Sequence, residues 1–108
     1  MNSYHDELSN AMIARSMGNE GKARVCARRA AGIIIGEYLK RQGFNNLNQS
    51  AYDRLSIFNK LPNIDPYLKV ISTHFLLKVN HDHELPGNVD LIAEVQTLQM
   101  SLLKEPIH

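Results

Sequence analysis

Residues 21–43, GKARVCARRAAGIIIGEYLKRQG, decide the fold. They read as one long helix, with an arginine-rich first half, a middle of small residues and isoleucines, and a glycine stop. At about 1.5 Å per residue the stretch 22–42 extends roughly 30 Å, the depth of a small domain. Successive side chains leave a helix about 100° apart. That spacing puts Ala23, Ala27, Ala30, Ile34 and Tyr38 along one face, with Arg24, Arg28, Ala31 and Ile35 on the adjoining stripe. Ile33, Ile34 and Ile35 spread over about 200° of arc, more than one neighbouring helix covers. The helix is therefore expected at the centre of a bundle, or partly in a homodimer interface. Gly32 and Gly36 inside it each cost roughly 1 kcal/mol relative to alanine, a penalty that tight packing of a neighbouring helix would offset.

On the N-terminal side, Tyr4, Leu8, Ala11, Met12 and Arg15 follow the spacing of an amphipathic helix, which GNEG at 18–21 breaks. On the C-terminal side, Gly43 is expected as a left-handed residue closing the long helix. The polar connection FNNLNQ leads to Ser50, an expected N-cap with Asp53 in the favoured first turn. Tyr52, Leu55, Phe58 and Leu61 form the apolar stripe there, and Pro62 ends it. Asp65 and Pro66 open another helix, whose core side holds Leu68, Ile71, Phe75 and Val79, with Leu76 adjoining. After a polar stretch at 80–84 and a turn at 85–87, Gly87 or Asn88 is expected to cap a last helix. Its inward residues are Leu91, Val95, Leu98 and Leu102, and Pro106 stops it. With no strand pattern, repeat or linker, the expected architecture is all-α. It is a four- to five-helix up-and-down antiparallel bundle in one domain over residues 1–108.

Composition narrows the function classes. The chain has 108 residues, enough for one core, with 44% hydrophobic and 21% charged residues, which argues against disorder. A formal net charge of +1 exerts no global pull on nucleic acid. The charges are segregated, however. Arg15, Lys22, Arg24, Arg28, Arg29, Lys40 and Arg41 stand against only Glu20 and Glu37, whereas residues 82–105 hold five acids against Lys104 alone. These segments are expected to pair within the fold or across a dimer. The sharper alternative is a basic surface for an anionic partner. Cys26 is the only cysteine, which excludes an intramolecular disulfide and reads as a small buried hydrophobe. Neither a signal peptide nor a membrane span is evident, so a cytoplasmic location without a membrane is expected. No cofactor is expected.

Candidate sites are sparse. GNEGK at 18–22 departs from the phosphate-loop pattern and reads as a helix–helix turn. The amides opening the long helix, with Lys22, Arg24, Arg28 and Arg29, form a weak anion or nucleic-acid site. His81-Asp82-His83-Glu84 offers metal ligands in a row, but metal sites combine ligands from separated segments. A solvated loop is the preferred reading over a metal site at His81 and His83. Lys69 and His74 place a cation and an imidazole within two turns of one helix, a weak catalytic pair for moving a proton beside a phosphate. A small-ligand pocket lined by Tyr38, Tyr52 and Phe75 is a third expectation.

The Ala-Arg segment 11–15, the Gly-Asn turn, the alanine-rich helix, SAYDRL at 50–55 and LLKVNHDHELPGNVDLIAEVQTL at 76–98 together resemble a small bacterial family related to the HEPN superfamily. The resemblance covers about residues 10–103. It implies a four- to five-helix bundle, commonly a homodimer. Many members are toxin-like ribonucleases whose signature is an arginine followed four to six residues later by a histidine. None of Arg15, Arg24, Arg28, Arg29, Arg41 or Arg54 has a histidine in that window. Lys69 to His74 is the nearest substitute, and lysine lacks the planar fork that grips phosphate bidentately. Other members are non-catalytic partners of nucleotidyltransferases, or ligand-binding and scaffold modules. The chain is expected to belong with these, as a homodimeric interaction or regulatory module. The alternative is an RNA-binding or RNA-cleaving domain using Lys69 and His74, with Arg24, Arg28 and Arg29 on phosphates.

Overall fold

Short polar side chains and two left-handed glycines set the helix ends. The structure, a computed structural model, describes residues 3–76 and 89–104. Ser3 and Asp6 cap the first helix, α1 (Tyr4–Ser16), reciprocally: each backbone N–H donates to the other's side chain at 3.2 Å. Gly18, at φ 79°, ends α1, and the Asn19 amide reaches back to the Ala14 carbonyl at 2.8 Å. The Asn19 side chain then caps the long helix α2 (Glu20–Arg41) by accepting from the Lys22 amide at 3.0 Å. Gly43, at φ 95°, closes α2 as expected, with the Phe44 amide donating to Leu39 at 3.1 Å.

Ser50 caps α3 (Ala51–Lys60), and Asp65 caps α4 (Pro66–Leu76) by accepting the Tyr67 amide at 2.8 Å. The last helix, α5 (Leu91–Leu98), is capped by Asp90 and not by Gly87 or Asn88. The Oδ1 atom of Asp90 accepts from the amides of Ile92 and Ala93 at 3.1 and 3.3 Å. A carboxylate at that position satisfies two N–H groups and complements the positive end of the helix dipole, which a glycine cannot do. Val79, His81, His83 and the 85–87 turn lie outside the described residues.

The fold is an all-α helical bundle, without a strand among the described residues. Its spine is α2, which packs against α1, α3 and α5, while α4 closes on α3 and α5. Ala27, Ala30, Ala31, Ile34, Ile35 and Leu39 are all fully buried. Two of the three isoleucines are thus satisfied inside one subunit, and only Ile33 is half-buried.

The glycines explain how neighbours approach so closely. A β-carbon at Gly32 would come within 2.8 Å of the Ala51 Cα, so the start of α3 rests directly on the α2 backbone. At Gly36 the neighbour is not a helix but the Arg54 side chain, with Cζ 2.7 Å from where a β-carbon would stand.

Three inward positions differ from expectation. In α1 the buried set is Glu7, Leu8, Ala11 and Ala14, which turns Met12 outward to 41% exposure. In α3 the seating of Ala51 on Gly32 fixes the rotation, so Leu55 and Phe58 point in and Tyr52 is 56% exposed. After α5 the chain makes a π turn, Gln99–Leu103. The wider turn advances the inward register by one residue, burying Gln99 and Leu103 and leaving Leu102 only partly buried.

Candidate functional site

One side of α2 carries Arg29, Ile33, Gly36 and Lys40, at helical spacing, between the start of α1 and the 44–49 connection. Two adjoining clefts lie along it. The smaller, about 330 Å³, is lined by Glu7, Arg29, Gly32, Ile33 and Gln49 together with Arg54. The larger, about 620 Å³, takes in Tyr4, Gly36, Lys40, Arg41 and Asn45, again with Arg54. Arg54 therefore borders both.

The Arg54 guanidinium is fixed by main-chain acceptors. Its Nε donates to the Asn48 carbonyl at 2.8 Å and its Nη1 to the Gly32 carbonyl at 3.3 Å. Among the described residues no carboxylate lies within salt-bridge distance of it. Glu7 projects from α1 toward the smaller cleft, its side chain 5% exposed and its Oε2 3.9 Å from the Arg29 Nη1. Glu37 is engaged by Arg41 at 3.3 Å, one turn along α2. Sequence reasoning missed Arg54 and Glu7 as site residues. The available signal was the pair Gly32 and Gly36, one turn apart in a helix that tolerates glycine poorly.

The sequence-predicted basic residues do not form one stripe. Arg28 donates from Nε to the Phe75 carbonyl at 3.0 Å, tying α2 to α4. Arg29 leaves α2 on another side, toward Glu7 on α1. Lys22 is exposed at the start of α2, and its amide is the one Asn19 takes. Arg24 is half-buried. Pairing between the basic and acidic segments occurs at Arg15, which precedes α2. Its guanidinium holds Glu20 at 2.6 Å and Asp90 at 2.9 Å, tying the α1–α2 turn to the start of α5. Hydrogen bonding to Glu20 raises the already high Arg15 pKa further. Burial works to raise that of Asp90, but hydrogen bonds from Arg15 and from the Ala93 and Ile92 amides outweigh it and hold the carboxyl below its ordinary range.

Lys69 and His74 are not brought together. Five residues apart on a regular helix, they leave α4 about 140° from each other. His74 instead turns its Nδ1 to Glu94 on α5, 2.7 and 3.0 Å from the two carboxylate oxygens. Burial raises the Glu94 pKa despite the hydrogen bond and charge that His74 contributes. A carboxylate on Nδ1 keeps the ring proton there and makes Nε2 the basic nitrogen. The Lys69 carbonyl, meanwhile, accepts from Ser72 at 2.8 Å and Thr73 at 3.0 Å, in a cluster that also includes Asn59.

The aromatic pocket is not formed. Phe75 is buried in the core, Tyr38 packs edge-on against Phe58 with centroids 5.7 Å apart, and Tyr52 faces solvent. Cys26 is buried, as expected of a small hydrophobe. Among the described residues no cluster of histidine, cysteine, aspartate and glutamate could hold a metal, and His81 and His83 lie outside them. No described helix is long and apolar enough to cross a membrane.

No family model, curated protein or solved structure matches the chain.

Proposed function

We propose that this chain is a non-enzymatic, HEPN-like helical module acting as a homodimeric interaction or regulatory protein in a bacterial cytoplasm. One observation carries the reading: the side chains on which phosphate chemistry would depend are directed to different parts of the bundle. Arg28 is bonded to the Phe75 carbonyl of α4, Arg29 faces Glu7, and Lys69 and His74 diverge. The resemblance over residues 10–103 supports the same reading and makes a nucleotidyltransferase the class of protein partner to test. With Ile34 and Ile35 buried inside the subunit, the surface for a second copy is the apolar side of α1 and α2. Ile13 and Met17, one turn apart, are 54% and 79% exposed, and Val25 is 43% exposed. Light scattering from low to high micromolar concentration tests this directly. A dimer that dissociates in an Ile13→Glu, Met17→Glu variant of unchanged helicity supports it, and a monomer throughout the range overturns it.

The His74–Glu94 contact favours a second reading, an RNA-binding or RNA-cleaving domain. Orientation of an imidazole by a carboxylate is how a general base is commonly held. In that reading RNA binding weakens steeply with salt, because neutralised phosphates release counterions. RNA cleavage that survives in His74→Ala excludes His74 as the base.

A further inference from the structure

We infer that the larger cleft beside α2 binds a small dicarboxylate, held at its two ends by Arg54 and Lys40. Arg54 is preorganised for this. Two main-chain carbonyls orient its guanidinium, and the missing side chain at Gly36 lets it lie flat on the α2 backbone. Those bonds use Nε and one Nη1 hydrogen, and the remaining N–H groups have no acceptor among the described residues. A guanidinium fork of this kind matches a carboxylate bidentately.

Lys40 supplies the second point. It lies one turn beyond Gly36, so its Cα is about 6 Å farther along the helix. It lines the same cleft, and no carboxylate among the described residues pairs with it. The third cation there, Arg41, is already neutralised by Glu37. The cleft thus offers two single positive charges carried on different helices, Arg54 on α3 and Lys40 on α2, which a diacid can engage one at each end. Glu37, itself paired with Arg41, lines this cleft, and Glu7 lines the adjoining smaller one. The carboxamides of Asn45 and Gln49 line the same cleft as neutral donors.

Calorimetric titration of the intact chain with glutarate, acetate and a phosphate monoester tests the inference. Glutarate should bind at least about tenfold more tightly than acetate, and added salt should weaken it. Lys40→Gln removes an exposed charge without touching the core and should bring glutarate down to the acetate level. Gly36→Ala should abolish glutarate binding by displacing the guanidinium, with circular dichroism confirming that the helices persist. The inference is overturned by equal binding of glutarate and acetate, by no binding of either, by tighter binding of the phosphate monoester, or by glutarate binding indifferent to Lys40→Gln.

Discussion

The Arg54 guanidinium occupies the space that a β-carbon on Gly36 would need, with its Cζ 2.7 Å from that position. A side chain from α3 is thereby laid across the backbone of α2, one turn from the point where Ala51 rests on Gly32. Two glycines in one helix admit two different neighbours, and substitutions at them should behave differently.

Gly32→Ala forces a β-carbon into the Ala51 backbone, which cannot yield without moving α3. Overpacking of this kind costs about 1–3 kcal/mol, more than the roughly 1 kcal/mol of helix propensity gained. Gly36→Ala meets only the far end of a flexible side chain, so its net change should stay within about 1 kcal/mol of wild type. Urea denaturation of the two variants measures the difference. Equal destabilisation would contradict the packing described for α3.

Asp90 should stabilise the fold above the ordinary carboxylate range. Its folded pKa is depressed, so the stabilisation is present above the unfolded value and is lost as pH falls through the folded one. Asn caps helices nearly as well as Asp, so Asp90→Asn isolates the charge contact with Arg15. Wild type should exceed this variant in stability at pH 7, and the gap should close in acid. A gap that persists unchanged to low pH would rule out the ionic contribution.

Glu94 has the opposite sign. Burial raises its pKa, so its contribution is fully present below the unfolded value and declines as pH rises through the folded one. Relative to Glu94→Gln, wild type should lose stability as pH increases over that interval. Thermal melts of both proteins across a pH series read this out, and parallel profiles would show that Glu94 is not desolvated in solution.

The π turn makes a prediction about two adjacent leucines. Leu103 is 6% exposed in the core, whereas Leu102 is only partly buried. Leu103→Ala should cost about 2–4 kcal/mol, and Leu102→Ala distinctly less. The reverse order would mean that α5 continues without the wider turn.

Much of this architecture was legible in local chemistry. The left-handed glycine after α2, the Ser50 and Asp65 caps, and the core roles of Ile34, Ile35, Leu55, Phe58 and Phe75 follow from spacing and from which groups satisfy orphan amides. The site was not legible in the same way. Arg54 is one of several arginines until Gly36, eighteen positions earlier, is placed beneath it. Glu7 has the composition of a surface residue and is buried only because α1 turns that face toward α2. His74 finds Glu94 across a gap of twenty residues, and no periodicity within either helix announces that pairing.

By itself, then, the sequence determined the helices, their ends and the central place of residues 21–43. Those properties depend on interactions within a few residues along the chain and on how much apolar surface one helix must hide. The tertiary structure alone decided which charges meet, where α2 is left open and which of its glycines admits a helix or a side chain. Those outcomes depend on the relative rotation of packed helices, which a one-residue change of register, such as the π turn after α5, is enough to alter.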